Sequence, residues 1–153
     1  MLPGKVEGAP QGLIQRMPFW VDGNMYVKVS VRAEVFPTED VELVLRAVRK
    51  IFPTLEFRVL EEGGRTFVEA ESTELSALKY LKENWRMRRV RAAAGRLLRS
   101  GSSEGIVRAR LSKHAAYVGV ASILDEDEWP GLGDISLEIE TDDVEGLIKW
   151  LTS

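Results

Sequence analysis

The segment Asn84–Gly101, NWRMRRVRAAAGRLLRSG, carries six arginines and no carboxylate in a chain whose formal net charge is −3. Guanidinium groups hold phosphate oxygens through paired hydrogen bonds and stack on flat rings, so an arginine-rich segment suits a polyanion, RNA in particular. Widening the window to Trp85–Lys113 adds Arg108, Arg110 and Lys113 but only one acid, Glu104, which gives the window +8 and leaves −11 to the rest of the chain. Charge separated in this way equips one surface for a polyanion and keeps the remainder soluble. Read as one helix at about 100° per residue, the segment puts Met87, Val90, Ala94, Leu97 and Leu98 on one side. Arg88, Arg89, Arg96 and Arg99 then gather on the opposite side, around Ala92. Arg108 and Arg110 are two apart in a strand pattern, so they share one face and are expected to continue the patch from helix to sheet. The competing reading pairs these arginines with the acidic run Asp125, Glu126, Asp127, Glu128 or with other surface carboxylates.

Reaction chemistry finds little support. His114 is the only histidine, no serine stands in a nucleophile-elbow pattern, and nothing marks an acid that would orient the imidazole. The absence of cysteine removes thiolate nucleophiles, thiolate metal sites and disulfides together, which fits a reducing compartment. Asp125–Glu128 lacks calcium-loop spacing and suits weakly held Mg²⁺ or Ca²⁺ at most. The expectation is a noncatalytic protein with no cofactor and no tightly bound metal. Trp85 and Trp150 lie on apolar stripes, where core packing is the simpler role for them than base stacking.

The elements that position these residues follow from hydrophobic periodicity. At 153 residues and 44% hydrophobic content the chain suits one domain with a sizeable core. Prolines and glycines interrupt every pattern before Asn24, so residues 1–23 read as a tail, either flexible or loosely docked through Leu13, Ile14, Phe19 and Trp20. From there residues 24–153 form a single domain. Val27 to Val35 alternate as a half-buried strand, and Thr38 is the expected cap of a helix bearing Val41, Val44, Leu45 and Val48. A hairpin turns at Gly63-Gly64, and a second helix with Leu75, Leu78, Leu81 and Trp85 leads into the arginine-rich third. Strand patterns begin at Ile106, Ala115 and Asp134, and Thr141-Asp142-Asp143 opens a last helix. The predicted order is β α β β α α β β β α: an α+β fold with a mixed, largely antiparallel sheet and helices on one face. No stretch approaches a membrane span or a signal peptide, and a cytoplasmic location is expected. The charged fraction of 29% also suits a heat-adapted protein rich in surface ion pairs.

Four segments occur in an order that resembles a small archaeal family of predicted RNA-binding proteins: VSVRAEVFPTEDVELV from Val29, LSKHAAYVGVASI from Leu111, PGLGDISLEIETDD from Pro130 and LIKWL from Leu147. The resemblance runs from about Met25 to Leu151, with FPTED and LSKHAA as its more specific parts. It implies a fold like that of the fifth large-subunit ribosomal protein, RNA as the partner, and an association with RNA-processing proteins, the archaeal exosome by prediction. Lys113 carries over from the family pattern; the arginine-rich helix is more basic than that pattern. The resulting expectation is RNA held through phosphate contacts by Arg88, Arg89, Arg96, Arg99, Arg108, Arg110 and Lys113. Two alternatives stand beside it: a module that docks an acidic protein, and a metal-dependent nuclease using the acidic loop.

The tail reading predicts that deleting residues 1–23 leaves the cooperative thermal transition nearly unchanged. A large loss of stability would place Leu13, Ile14, Phe19 and Trp20 in the core instead.

Overall fold

The structure, a computed structural model, describes residues 25–153. The expected tail at 1–23 lies outside them. Six strands form one sheet in the order β2-β3-β1-β6-β5-β4, and every pairing is antiparallel. The strands are β1 (Val27–Val35), β2 (Arg58–Glu62), β3 (Arg65–Ser72), β4 (Ser102–Ser103), β5 (Ile106–Ser112) and β6 (Asp134–Thr141). The helices are α1 (Val41–Ile51), α2 (Lys79–Met87), α3 (Arg91–Ser100), α4 (Lys113–Ala116) and α5 (Val144–Leu151), with a 3₁₀ turn at Leu75–Leu78 ahead of α2. This is the α+β class that the periodicity implies.

Alternation makes the sheet two-faced. Val27, Val29, Val31, Ala33 and Val35 are buried on the same face as Ile135, Leu137 and Ile139, where the apolar stripes of α1 and α5 cover them. The opposite face stays wet, and its cations are matched across strands. Arg65 reaches Glu34 at 2.6 Å, Arg32 reaches Glu62 at 2.6 Å, and Arg58 reaches Glu69 at 2.9 Å. The hydrogen bond from Arg65, with its charge, holds the Glu34 carboxyl below the usual carboxylate range. Gly63 and Gly64 both adopt positive φ, which is what a two-residue turn twisted to match its strands requires.

Three boundaries differ from the sequence reading. The cap of α1 is Asp40, whose side chain accepts from the Glu42 amide at 2.9 Å; Thr38 does not serve, because Glu39 folds back to accept from the Phe36 amide at 2.8 Å. The run from Ala115 is not a strand. Ser112 caps the short α4, Gly119 turns the chain at φ +78°, and residues 120–124 form a strap held by backbone bonds to β5, Ser112 amide to Ser122 carbonyl at 2.9 Å and Leu124 amide to Arg110 carbonyl at 2.8 Å, and by side chains of α2. Trp85 Nε1 donates to the Ala121 carbonyl at 2.7 Å, Asn84 Oδ1 accepts from the Ala121 amide at 3.1 Å, and Tyr80 donates to the Gly119 carbonyl at 2.6 Å. The sixth strand is the two-residue β4.

The third difference concerns the arginine-rich segment, which is two helices rather than one. Met87 ends α2; the Val90 amide bonds back to the Trp85 carbonyl and the Arg89 amide to the Arg86 carbonyl, with Arg89 left-handed at φ 60°. That is a Schellman turn with arginine where glycine is usual. Phase explains it. Trp85 and Ala94 are both buried, yet nine residues of continuous helix would set them about 180° apart. The break returns both to the core.

Where β1 meets α1, the Lys113 side chain is fully buried. Its ammonium donates to the Glu34 carbonyl at 2.6 Å and to Glu39 Oε1 at 2.9 Å, and sits 4.4 Å from the centre of the Phe36 ring. Gly133, at φ +91°, closes this nest, since a Cβ there would come within 2.9 Å of the Phe36 ring. FPTED and LSKHAA thus meet in one buried ion pair, which explains their specificity without reference to a ligand. Lys113→Ala strands the Glu39 carboxylate, and the expected loss is about 3–5 kcal/mol, on the order of 10 °C in melting temperature for a chain of this size. Gly101→Ala is also expected to destabilise although its φ of −91° is ordinary, because a Cβ would lie 2.1 Å from the Arg108 carbonyl oxygen. A melt within 2 °C of the parent for Lys113→Ala, in differential scanning calorimetry, would contradict the account of the ion pair.

Candidate nucleic-acid interface

The chain leaves β3 at one side of the sheet and crosses through α2 and α3 to β4 at the far edge. This crossing carries the arginines. On α3, Ala94, Gly95 and Leu98 are buried, so Ala92, Arg96 and Arg99 face outward together. Arg88 and Arg89 occupy the turn before the helix, and Arg91 opens it; all three are exposed. No side chain caps α3 and its first turn holds no acid, so its free amides add positive potential at the point where Arg88, Arg89 and Arg91 converge.

Partners divide the sequence-predicted residues into three groups. Arg88, Arg89 and Arg96 make no ion pair among the described residues, and neither does Arg91; Arg88 bonds only to Asn84 Oδ1 at 3.2 Å and the Ala121 carbonyl at 3.3 Å. Arg99 shares the outward face of α3, in its last turn, but leans on Glu145 at 3.3 Å, an exposed pair open to exchange. Arg86 similarly pairs with Glu83 at 2.6 Å, and that hydrogen bond together with the arginine charge holds the Glu83 carboxyl below its usual range.

Arg108 and Arg110 do not join the helix patch in the way the spacing implied. They project from β5 onto the uncovered sheet face, where Arg108 pairs with Glu138 at 3.4 Å and Arg110 with Asp134 at 3.3 Å. Arg110 also donates to the carbonyls of Asp125, Glu126 and Glu128, the nearest at 2.6 Å. The pairing alternative therefore describes the strand arginines and not those of the α2–α3 turn. Lys113 is the clear correction: with its side chain sealed in the core, it has no surface to offer a phosphate.

Arg91 is absent from the residues expected from sequence, and at about 100° per residue a continuous helix would set it about 100° from Ala92, off the basic face. Once the helix begins at Arg91, its side chain stands at the open first turn. The signal was present in the sequence, in the half-turn phase conflict between Trp85 and Ala94. Two carboxylates of the acidic loop fold back locally, Glu128 Oε1 accepting from the Asp125 amide and Asp125 Oδ1 from the Glu126 amide, while those of Glu126 and Asp127 make no hydrogen bond or ion pair among the described residues. His114 is exposed on α4.

Comparison with known proteins places the chain. A family model described as RNA binding matches residues 28–141, from β1 to the end of β6. UPF0201 proteins of Methanothermobacter thermautotrophicus and Thermococcus onnurineus are 37% and 34% identical to it, over 81% and 83% of this chain and 89% and 92% of theirs. The crystal structure of the UPF0201 protein from Methanococcus jannaschii superposes with a TM-score of 0.72 at 28% identity, covering 82% of this chain and 99% of that one. These matches span the sheet, the buried Lys113 nest and the arginine-bearing corner alike, and on them the chain belongs to UPF0201, an archaeal family whose members share this α+β fold.

Proposed function

We propose that this protein is a noncatalytic, cytoplasmic RNA-binding protein that holds the RNA backbone at the α2–α3 corner. Arg88, Arg89, Arg91 and Arg96 contact phosphates there, and Arg99 joins by exchanging Glu145 for a phosphate. The observation that carries this reading is the contrast between the two surfaces. The arginines of the open sheet face are matched by carboxylates, whereas Arg88, Arg89 and Arg91 at the helix junction and Arg96 further along α3 have none among the described residues. Like charges gathered without counterions repel one another, so a protein that keeps them there is arranged for an external anion. Arg89 strengthens the case, because a left-handed non-glycine residue costs about 1–2 kcal/mol and glycine would relieve it. Strain retained at an exposed position points to the side chain being used. The match to a family described as RNA binding supports the choice of RNA among polyanions. Arg108 and Arg110 serve at the edge of this surface rather than at its centre, and RNA-processing proteins are the natural company for such a module.

Affinity for structured RNA is expected to fall with salt at a log–log slope of roughly −3 for about four phosphate contacts, and Arg96→Ala should reduce that slope by about 1 across RNA sequences alike. Filter binding between 50 and 300 mM salt measures both. Arg89→Gly gives the sharper test, since it should raise stability by about 0.5–1 kcal/mol while weakening RNA binding. If Arg89→Gly instead left RNA binding intact, the phosphate surface would lie elsewhere on the molecule, and if an acidic protein bound while RNA did not, the reading would fail in favour of a protein-docking module.

A further inference from the structure

Two cavities lie end to end beside α3, along the strap of residues 120–124. The smaller, about 150 Å³, is lined by Trp85, Arg88, Val90, Ala93 and Ile123 among others. The larger, about 280 Å³, continues past Leu97 and Ile123 to Ser100, Gly101 and the β5 edge at Arg108, Ala109 and Arg110. It exists because β4 is only two residues long and the strap bridges β5 only at Leu111, so the edge between them is uncovered. Nothing in the proposed phosphate surface requires such a space.

We infer that the larger cavity takes one unpaired, amino-bearing base of the bound RNA. The inference rests on the RNA reading above and adds which part of the RNA enters the fold. Size favours a single ring system, since about 300 Å³ is the lower limit of small-molecule sites. Its apolar surface, from the aliphatic side chains of Leu97, Ala109, Ile123 and Leu124, suits the faces of a base by removing them from water. Charge then excludes a phosphate. Asp125, Glu126 and Glu138 stand around the cavity, and its two guanidinium groups are already paired with Glu138 and Asp134. A surrounding rich in acceptors favours a neutral ring with an exocyclic amino group, adenine in the probe chosen here, over uracil. Placement completes the argument. Arg88 lines the smaller cavity, so a backbone resting on the basic corner runs directly past the mouth of the groove.

The probes are three RNA duplexes of one sequence: fully paired, with a single bulged adenosine, and with a single bulged uridine. Anisotropy titration of the full chain should show the adenosine bulge bound about tenfold more tightly than the paired duplex, the gain from burying one base face against aliphatic side chains, with uridine between them. Ser100→Trp, at an exposed position on the cavity rim, should abolish that preference and leave affinity for the paired duplex unchanged. Equal binding of all three RNAs, with the salt dependence intact, would overturn the base pocket and leave the phosphate surface standing. Binding of none would overturn both, and a preference that survives Ser100→Trp would place the bulge elsewhere.

Discussion

The rest of the structure depends on the Lys113–Glu39 ion pair. A buried ammonium is tolerated only with full compensation, and Lys113 receives a carbonyl, a carboxylate and an aromatic face. These partners come from the end of β1 and the turn into α1, while Lys113 follows β5 and its amide bonds the Gly133 carbonyl ahead of β6. One charge pair therefore fixes the spacing of three strands and the entry of a helix. Glu39 Oε2 has no hydrogen-bond partner among the described residues. The arrangement is accordingly one of specificity more than of strength, since an unsatisfied carboxylate oxygen weakens the net gain.

With β5 and the chain after it fixed, the strap at residues 120–124 has a defined place, and α2 and α3 pack against it. Trp85 and Asn84 hold the strap at Ala121 from the α2 side, while Ala94 and Leu98 of α3 pack into the core. Both anchors can be met only by breaking the helix between them. That break sets Arg88, Arg89 and Arg91 around an uncapped helix start at one corner, with Arg96 further along the outward face of α3. The basic surface is thus a consequence of how two apolar stripes out of phase are reconciled, with charge placed where the geometry leaves room.

Legibility in the sequence followed the range of the physics. Period-two and period-3.6 patterns depend on neighbours a few residues apart, so β1, β6, α1 and α5, together with the hairpin at Gly63-Gly64, could be read directly. AAYVGVASI has strand composition and therefore reads as a strand, yet Ala121 is held by Trp85 and Asn84, 36 and 37 positions earlier in the chain; only tertiary contact decides between strand and strap. Lys113 escapes a sequence reading for a similar reason. In sequence a lysine between Ser112 and His114 looks like any surface cation, and its burial depends on Glu39, far away in the chain. The helix break at Arg89 carried no glycine or proline to mark it, and only the phase relation between Trp85 and Ala94 gave it away.

The central claim is that RNA meets the α2–α3 corner and not the open sheet face. Backbone amide NMR during titration of a short structured RNA into the full chain separates the two directly. The account predicts that shift changes concentrate at residues 86–101, with a smaller set along the strap at 120–126. Changes centred instead on Lys28, Arg32, Arg58 and Arg65, on the open face, would contradict it.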